Sequence, residues 1–383
     1  MNELSTGRKV AFTSIPIVLL LLISWGILSL IDRERVLVRG DDPEMVYSFY
    51  ENREGVAASD EYRSSVRINA KGLRSPNLDF KDSSPRAIFF GDSFAEGWGV
   101  ELDESFPIKS GALAGVSVDN AGIHGGGPWY YILRGRKFLA DATYQHIVIQ
   151  IFDNDVKDQD EFLPVIEVSN NRLVRAKPPG MLFIPSGGFT RFLRDSAPFR
   201  IIKRLVFALR GNRLPIKYYK PGREPKDPLL DHAGALTKFG PIKPLADPDK
   251  DFGGQFGFYR FKSLAELKRD PVWSRRADGF HNAMQQMIEE FRAAQPKARL
   301  TVVYLPARQI FAPGGAVVGG ADGIVSNPLF ELLQESLANH NVTLVDLRQD
   351  LGTNPNDFYF PGDGHLNARG HQVVAQHLAR VLK

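Results

Sequence analysis

The chain has 383 residues, of which 43% are hydrophobic and 24% charged, and a formal charge of +4. That composition is globular. It suits one large domain or two modest ones and is too weakly basic to call for a nucleic-acid partner. Cysteine is absent, which removes disulfide frameworks, thiolate metal sites, catalytic thiols and lipidated cysteines while leaving the compartment open.

Residues 1–9 read as a short tail. From Val10 to Ile31 no residue is charged, Ile17–Ile23 is Leu, Ile and Val, and Trp25 suits an interface. Roughly 20 apolar residues cross a bilayer as a helix, whereas the apolar core of a cleaved signal peptide is about 7–15 residues and is followed by an Ala-x-Ala-like site. The run is longer than that and no such site precedes Asp32, so the expectation is a retained transmembrane anchor over 10–31. Arg8 and Lys9 precede it while Arg33, Arg35 and Arg39 follow it, so counting basic residues does not set its orientation.

Residues 32–85 are polar and mixed, and read as a connector with a short preface to a main domain over 86–383. There the pattern changes to short apolar runs closed by turn signals: Ala87–Phe90, Val116–Val118, Ile147–Phe152, Leu300–Leu305 and Val342–Leu347. Runs rich in β-branched residues with such boundaries suit buried parallel strands. Between them, Ala277–Ala294 and Ala368–Leu382 carry apolar residues at helical spacing. Val373, Val374, Leu378, Val381 and Leu382 share one face of the second helix, and Asn367 is placed to cap it. Alternating strands and helices predict a three-layer α/β/α sandwich on a parallel, flavodoxin-like five-stranded sheet.

The stretch at about 160–275 interrupts this rhythm with Pro, Gly and basic residues. Arg191, Arg194, Arg200, Lys203, Arg204, Arg210, Arg213, Lys217, Lys220 and Arg223 have only Asp195 as a local counter-charge. Two readings stand for this insertion. It is a solvated helix with one face on the sandwich, or a lid lying on anionic headgroups or on an acidic glycan.

Open α/β sheets gather function at the carboxyl ends of their strands. The first strand ends in Gly91-Asp92-Ser93, where a serine can sit on a tight turn with its N–H aimed at a developing oxyanion, or simply cap a helix. The second leads to Asn120-Ala121-Gly122-Ile123-His124-Gly125-Gly126-Gly127, where glycine admits close backbone approach. The third ends in Asp153-Asn154-Asp155. The amide of Asn154 can donate to an oxyanion without adding charge, or the group can be a helix cap. The last motif, Asp363-Gly364-His365, supplies an imidazole base with a neighbouring carboxylate. No second cluster with ligand spacing accompanies it, so no metal is called for.

In this order the motifs resemble the SGNH/GDSL hydrolase family over Ala87–Asp155 and from about Leu300 to the end. The resemblance implies Ser93 as nucleophile and His365 as base, with Ser93, Gly125 and Asn154 forming the oxyanion hole. Asn69-Ala70-Lys71-Gly72-Leu73-Arg74 resembles a preface common in membrane-tethered bacterial members. Two positions depart from the pattern. Phe152 stands where the family usually has glycine. Gly362 stands where its acid usually lies, three residues before the histidine. Asp-x-His does occur in related polysaccharide O-acetyltransferases, which makes Asp363 the candidate acid, with a Ser–His dyad as the alternative. Trp98, His124 and Trp129 follow the motifs as candidate substrate contacts, Trp98 and Trp129 being equally suited to the core.

The expected protein is an esterase acting through an acyl-enzyme on Ser93 without a cofactor. The expected substrate is an acetyl or short acyl ester on a glycan. Alternatives are a polysaccharide O-acetyltransferase, a lysophospholipase or thioesterase, and a non-catalytic scaffold in a glycan-assembly complex. The expected location is the inner membrane, with the catalytic domain periplasmic.

Overall fold

A computed structural model describes residues 6–76, 86–177, 193, 196–209, 218–243, 245, 250, 256–312 and 327–383. The first element is helix α1 (Thr6–Ile31), one continuous helix despite Pro16. Its side chains are described from Ser14, and Ile15, Leu20 and Leu30 stand 58%, 65% and 67% exposed. Among the described residues no helix is long and apolar enough to cross a membrane.

The stretch expected to be a connector is folded. It carries β1 (Arg35–Val36), β2 (Arg39–Asp42), β3 (Val46–Phe49), β4 (Arg53–Ala58) and β5 (Arg63–Ile68), where β2 pairs with β3 and β4 with β5. The strands alternate inward and outward residues, as β5 does with Ser64, Val66 and Ile68 buried and Ser65 and Arg67 exposed. Few of those inward residues are large and apolar, so the sequence looks polar throughout.

The main sheet is built from β6 (Arg86–Phe90), β7 (Ser117–Asn120), β8 (His146–Phe152) and two later strands, as expected. Helices α2 (Ser93–Glu96), α3 (Phe106–Ala114), α4 (Pro128–Phe138) and α5 (Asp155–Phe162) lie between and after them. Next comes the insertion, which is less irregular than its composition suggests. It holds the hairpin β9 (Ile166–Ser169) and β10 (Arg172–Ala176), helix α6 (Ala197–Leu209), and β11 (Tyr218–Tyr219), which pairs with both β1 and β4. Helix α7 (Pro271–Ala294), β12 (Arg299–Leu305), α8 (Pro328–Leu337), β13 (Thr343–Asp346) and α9 (Ala368–Val381) complete the chain. Helix α7 starts before Ala277 because Asp270 caps it, accepting from Val272 N at 3.0 Å and Trp273 N at 3.1 Å, with Pro271 in its first turn.

The sheet order is β13-β12-β8-β6-β7 with every pairing parallel, the flavodoxin-like order that was expected. All seven residues of β8 are buried because helices cover both faces. Adjacent residues of β6 show the layering. Phe89 meets Phe106 of α3 at 6.2 Å between ring centroids, and Phe90 meets Phe291 of α7 at 4.9 Å. Helix α9 packs on α3, and α7 on α4, α5 and α8.

Within the insertion, Arg191, Arg194, Asp195, Arg210, Arg213 and Lys217 lie outside the described residues. Arg200 is not a solvated cation. It is buried against Asp32, at 2.6 Å from Nε to Oδ2, and donates to the Asp32 carbonyl at 2.8 Å, which docks α6 where α1 ends.

Candidate active site

Four chain segments form the candidate site at the carboxyl ends of the parallel strands. The first is the turn after β6. Asp92 caps α2 by accepting from Phe94 N at 2.9 Å, which makes Ser93 the first residue of that short helix. Only glycine fits before it, since a Cβ on Gly91 would lie 2.4 Å from Gln150 Oε1 and 2.7 Å from Ala95 Cβ. The Ser93 N–H belongs to the first-turn amides that a helix cannot satisfy internally.

The far end of α2 is clamped by Arg74, the last residue of the preface motif. Its buried guanidinium donates to the carbonyls of Glu96 (2.8 Å), Gly97, Ser65 (3.0 Å) and Val100 (2.7 Å). Asn69 closes the preface loop by accepting from Lys71 N (2.9 Å) and Leu73 N (3.0 Å).

The second segment brings the candidate base, His365. Tyr359 pairs with Leu366 in a β-bridge, Phe360 N donates to the His365 carbonyl at 2.8 Å, and Asn367 caps α9 through Arg369 N and Gly370 N. Gly364 turns the loop at a φ of +87°, a region that favours glycine. His365 Nε2 then lies 2.7 Å from Ser93 Oγ, and His365 Nδ1 is hydrogen-bonded to Asp363 Oδ1. The carboxylate two residues before the histidine thus reaches the imidazole despite the glycine at 362.

The other expected donors lie on two more segments, Gly125 after β7 and Asn154 after β8. Gly125 has a φ of +78° and follows His124, whose carbonyl accepts from Arg39 and from Tyr47 OH at 3.2 Å. Asn154 Nδ2 donates to Asp158 Oδ2 at 2.9 Å, which orients the amide and leaves its second N–H for a ligand. Phe152 fills the position where glycine was expected, packing on Phe94 at 4.2 Å between centroids, while Phe94 lies 4.9 Å from the His365 ring.

The candidate substrate contacts divide. Trp98 is 5% exposed, its ring 6.2 Å from that of His365, so it walls the site. His124 is buried in an ion pair, with Nδ1 2.8 Å from Glu96 Oε2, and Glu96 also accepts from Tyr218 OH at 2.9 Å. Burial alone would raise the Glu96 carboxyl, but the charge and hydrogen bonds of His124, with Arg74, pull it down to about 2, so it stays ionised. Trp129 is not at a pocket: it is 2% exposed in the first turn of α4, inside the core.

The carboxylates flanking Asn154 are structural. Asp153 accepts from Tyr259 and Tyr304 hydroxyls and from Ala307 N at 2.7 Å, joining the end of β8 to that of β12. Asp155 accepts from Tyr131 OH and Phe152 N, each at 2.8 Å. Burial raises Asp92 to about 6 against the Phe94 N–H bond and the charge of His365. Burial and the charge of Asp92 push Asp155 well above the usual carboxylate range.

Arg74, Glu61, Tyr62, Tyr218 and Arg39 were not foreseen as parts of this region. Only Arg74 carried a signal, as the end of the preface motif.

No protein-family model and no curated protein matches the chain. Among solved structures it is similar to a family two carbohydrate esterase from Clostridium thermocellum in complex with cellohexaose. That likeness has 11% identity and a TM-score of 0.35, over 80% of this chain and 66% of that one. It is also similar to TesA, with 12% identity and a TM-score of 0.36, over 78% and 98% of the two chains. A third likeness is to a protein described as lipolytic, of the G-D-S-L family, from Desulfitobacterium hafniense DCB-2. It has 11% identity and a TM-score of 0.36, over 77% and 98%.

Proposed function

We propose that the chain is a serine esterase or acyltransferase of the SGNH/GDSL type, with Ser93, His365 and Asp363 as its catalytic residues. The observation that carries this is the 2.7 Å contact between Ser93 Oγ and His365 Nε2, with Asp363 on the opposite ring nitrogen. His365 takes the hydroxyl proton as Ser93 Oγ bonds to an ester carbonyl carbon, and Asp363 holds the tautomer and stabilises the imidazolium. The Ser93 and Gly125 N–H groups and the Asn154 amide donate to the oxyanion. His365 then returns its proton to the departing alkoxide, leaving an acyl-enzyme. Water or a sugar hydroxyl, deprotonated by His365 in turn, accepts the acyl group and frees Ser93.

Phe152 packed on Phe94 narrows the space beside the nucleophile, which favours an acetyl or similarly short acyl group. The Asp-x-His spacing, by resemblance to polysaccharide O-acetyltransferases, makes a glycan hydroxyl the second reading for the acceptor. The test compares wild type with Ser93→Ala on p-nitrophenyl acetate, with an acetylated glycan and a free glycan acceptor run alongside. Loss of at least about 1,000-fold in kcat, with an unchanged melting curve, is expected. Equal rates would remove the nucleophile assignment.

Helix α1 is proposed as a single membrane anchor, holding the domain on the extracytoplasmic face beside glycan-assembly partners. The uncharged run Val10–Ile31 of the sequence supports this reading: at about 1.5 Å per residue it would span about 33 Å against a hydrocarbon core of roughly 30 Å, and the side chains of residues 10–13 and 31 lie outside the described ones. Its apolar side chains from Ile15 to Leu30 are turned outward. The protein should stay with membranes through alkaline carbonate washing, and release into the supernatant would contradict the anchor.

A further inference from the structure

Asp363 stands on a short loop at the surface, where its side chain and that of His365 keep 23% and 21% exposure. A carboxylate only two residues from its imidazole, with a glycine between, has several rotamers open to it. Something outside the loop has to select the one that meets Nδ1. The selection comes from the turn between β4 and β5, about 300 residues earlier in the chain.

That turn is Ser59-Asp60-Glu61-Tyr62. Ser59 Oγ accepts from Glu61 N at 3.1 Å and Tyr62 N at 3.3 Å, and Ser59 N donates to the Tyr62 carbonyl at 2.9 Å. The Glu61 carboxylate accepts from Gly362 N at 3.0 Å and Asp363 N at 2.8 Å, gripping the loop backbone. The Tyr62 ring packs on Phe360 at 4.9 Å, and its hydroxyl lies 2.9 Å from Asp363 Oδ2. Trp98 Nε1 is 2.7 Å from the same hydroxyl.

The direction of the proton in this chain is determined. An indole N–H only donates, so the Tyr62 oxygen accepts from Trp98 and its own O–H points to Asp363. Burial, followed by the charge of Asp363, raises the Tyr62 hydroxyl far above its usual value, so it remains a donor throughout the working pH range. Asp363 is then held at both oxygens, by His365 on one and Tyr62 on the other.

We propose that Tyr62 is the positioning residue of this site: its hydroxyl, aimed by Trp98, holds Asp363 in the orientation that turns His365 toward Ser93. The proposal rests on the serine-nucleophile reading above. Tyr62 touches no reacting atom and acts through Asp363 alone. This accounts for how an acid at the shortened Asp-x-His spacing is fixed.

The test uses the full chain in four forms: wild type, Y62F, D363N and Y62F/D363N. Each is assayed for p-nitrophenyl acetate hydrolysis and for the rate at which a fluorophosphonate probe labels Ser93. Y62F keeps the ring on Phe360 and removes only the hydroxyl. Its kcat should fall by at least about tenfold with KM within about twofold, a split that general loosening of the fold would not give. In the D363N background the same change should alter kcat by less than about twofold, because the partner it positions is already disabled.

A Y62F enzyme with wild-type kcat overturns the proposal. So does a double variant whose losses multiply, since Tyr62 would then act independently of Asp363. Should Y62F not fold, W98F is compared with W98F/D363N: it leaves the hydroxyl but removes the donor that aims it, and its loss of kcat must shrink to less than about twofold in the D363N background for the proposal to stand, which a loss from the wall of the site would not do. A wild-type chain inert to the probe overturns the nucleophile reading and this one together. Labelling of wild type with Y62F labelling equally fast overturns this one alone.

Discussion

Replacing Arg74 with methionine should loosen the nucleophile turn more than any change at the surface. Methionine keeps the apolar stem and removes the guanidinium, so the carbonyls of Glu96 and Val100 lose their donor in a buried setting, while the Gly97 carbonyl still accepts from Val100 N at 3.3 Å and Ser65 is exposed to water. An unsatisfied buried acceptor costs about 1–3 kcal/mol. Two at the low end give roughly 2 kcal/mol, the saved cost of burying the cation arguing for that low end. Against a total stability of about 5–15 kcal/mol the variant should still fold in the cold. With a urea slope near 3 kcal/mol/M, the midpoint should drop by about 0.7 M. The folded variant should also turn over ester more slowly, because the freed Glu96 carbonyl ends α2, the helix that Ser93 begins. A midpoint shift below about 0.3 M would refute the reasoning, as would a wild-type kcat at a temperature where R74M is fully folded.

Gly122→Ala should cost about 1–3 kcal/mol and depress activity, because its Cβ would lie 2.5 Å from Glu96 N and 2.6 Å from Ala95 C, backbone atoms that cannot step aside; an unchanged melting temperature would contradict this. Buried His371 accepts from Phe106 N at 3.1 Å, and burial, then the charge of Arg74, lowers it to about 3. The unfolded chain, with an ordinary histidine near 6.5, binds the extra proton between those values, so this contribution is lost as pH falls through that window. Between pH 7 and 5, wild type should lose about 2 kcal/mol more than His371→Gln, read from urea midpoints. Parallel pH slopes would show that His371 does not supply this loss. Glu96 follows the usual carboxylate sign: held at about 2, its contribution is complete above the ordinary value near 4.5 and fades only below it.

The parallel sheet was readable because strands covered on both faces have to be continuously apolar, as Ile147–Phe152 is, and such runs stand out in the sequence. The contact between Ser93 and His365 could be anticipated because Ser93 ends the turn after such a run and His365 shortly precedes the last helix, each among residue types with few other uses there. The antiparallel strands of residues 35–68 were missed because their buried faces use Ser64 and Ala57 beside Val66, a weak alternation in a polar stretch. Tyr62 and Glu61 had no local signal at all, since their roles depend on contact with a loop at the other end of the chain. Trp129 misled because an aromatic residue after a glycine loop suits a pocket wall and the first turn of a core helix equally.

The hydroxyl of Ser93 and the imidazole of His365 are 272 residues apart, so no local segment holds both. Their contact exists only where the loop over 359–367 has packed against the turn after β6. On the reading of Ser93 as nucleophile, a chain in which that packing is lost keeps both side chains and loses the proton transfer between them. Assembly of the pair therefore reports that the loop has docked.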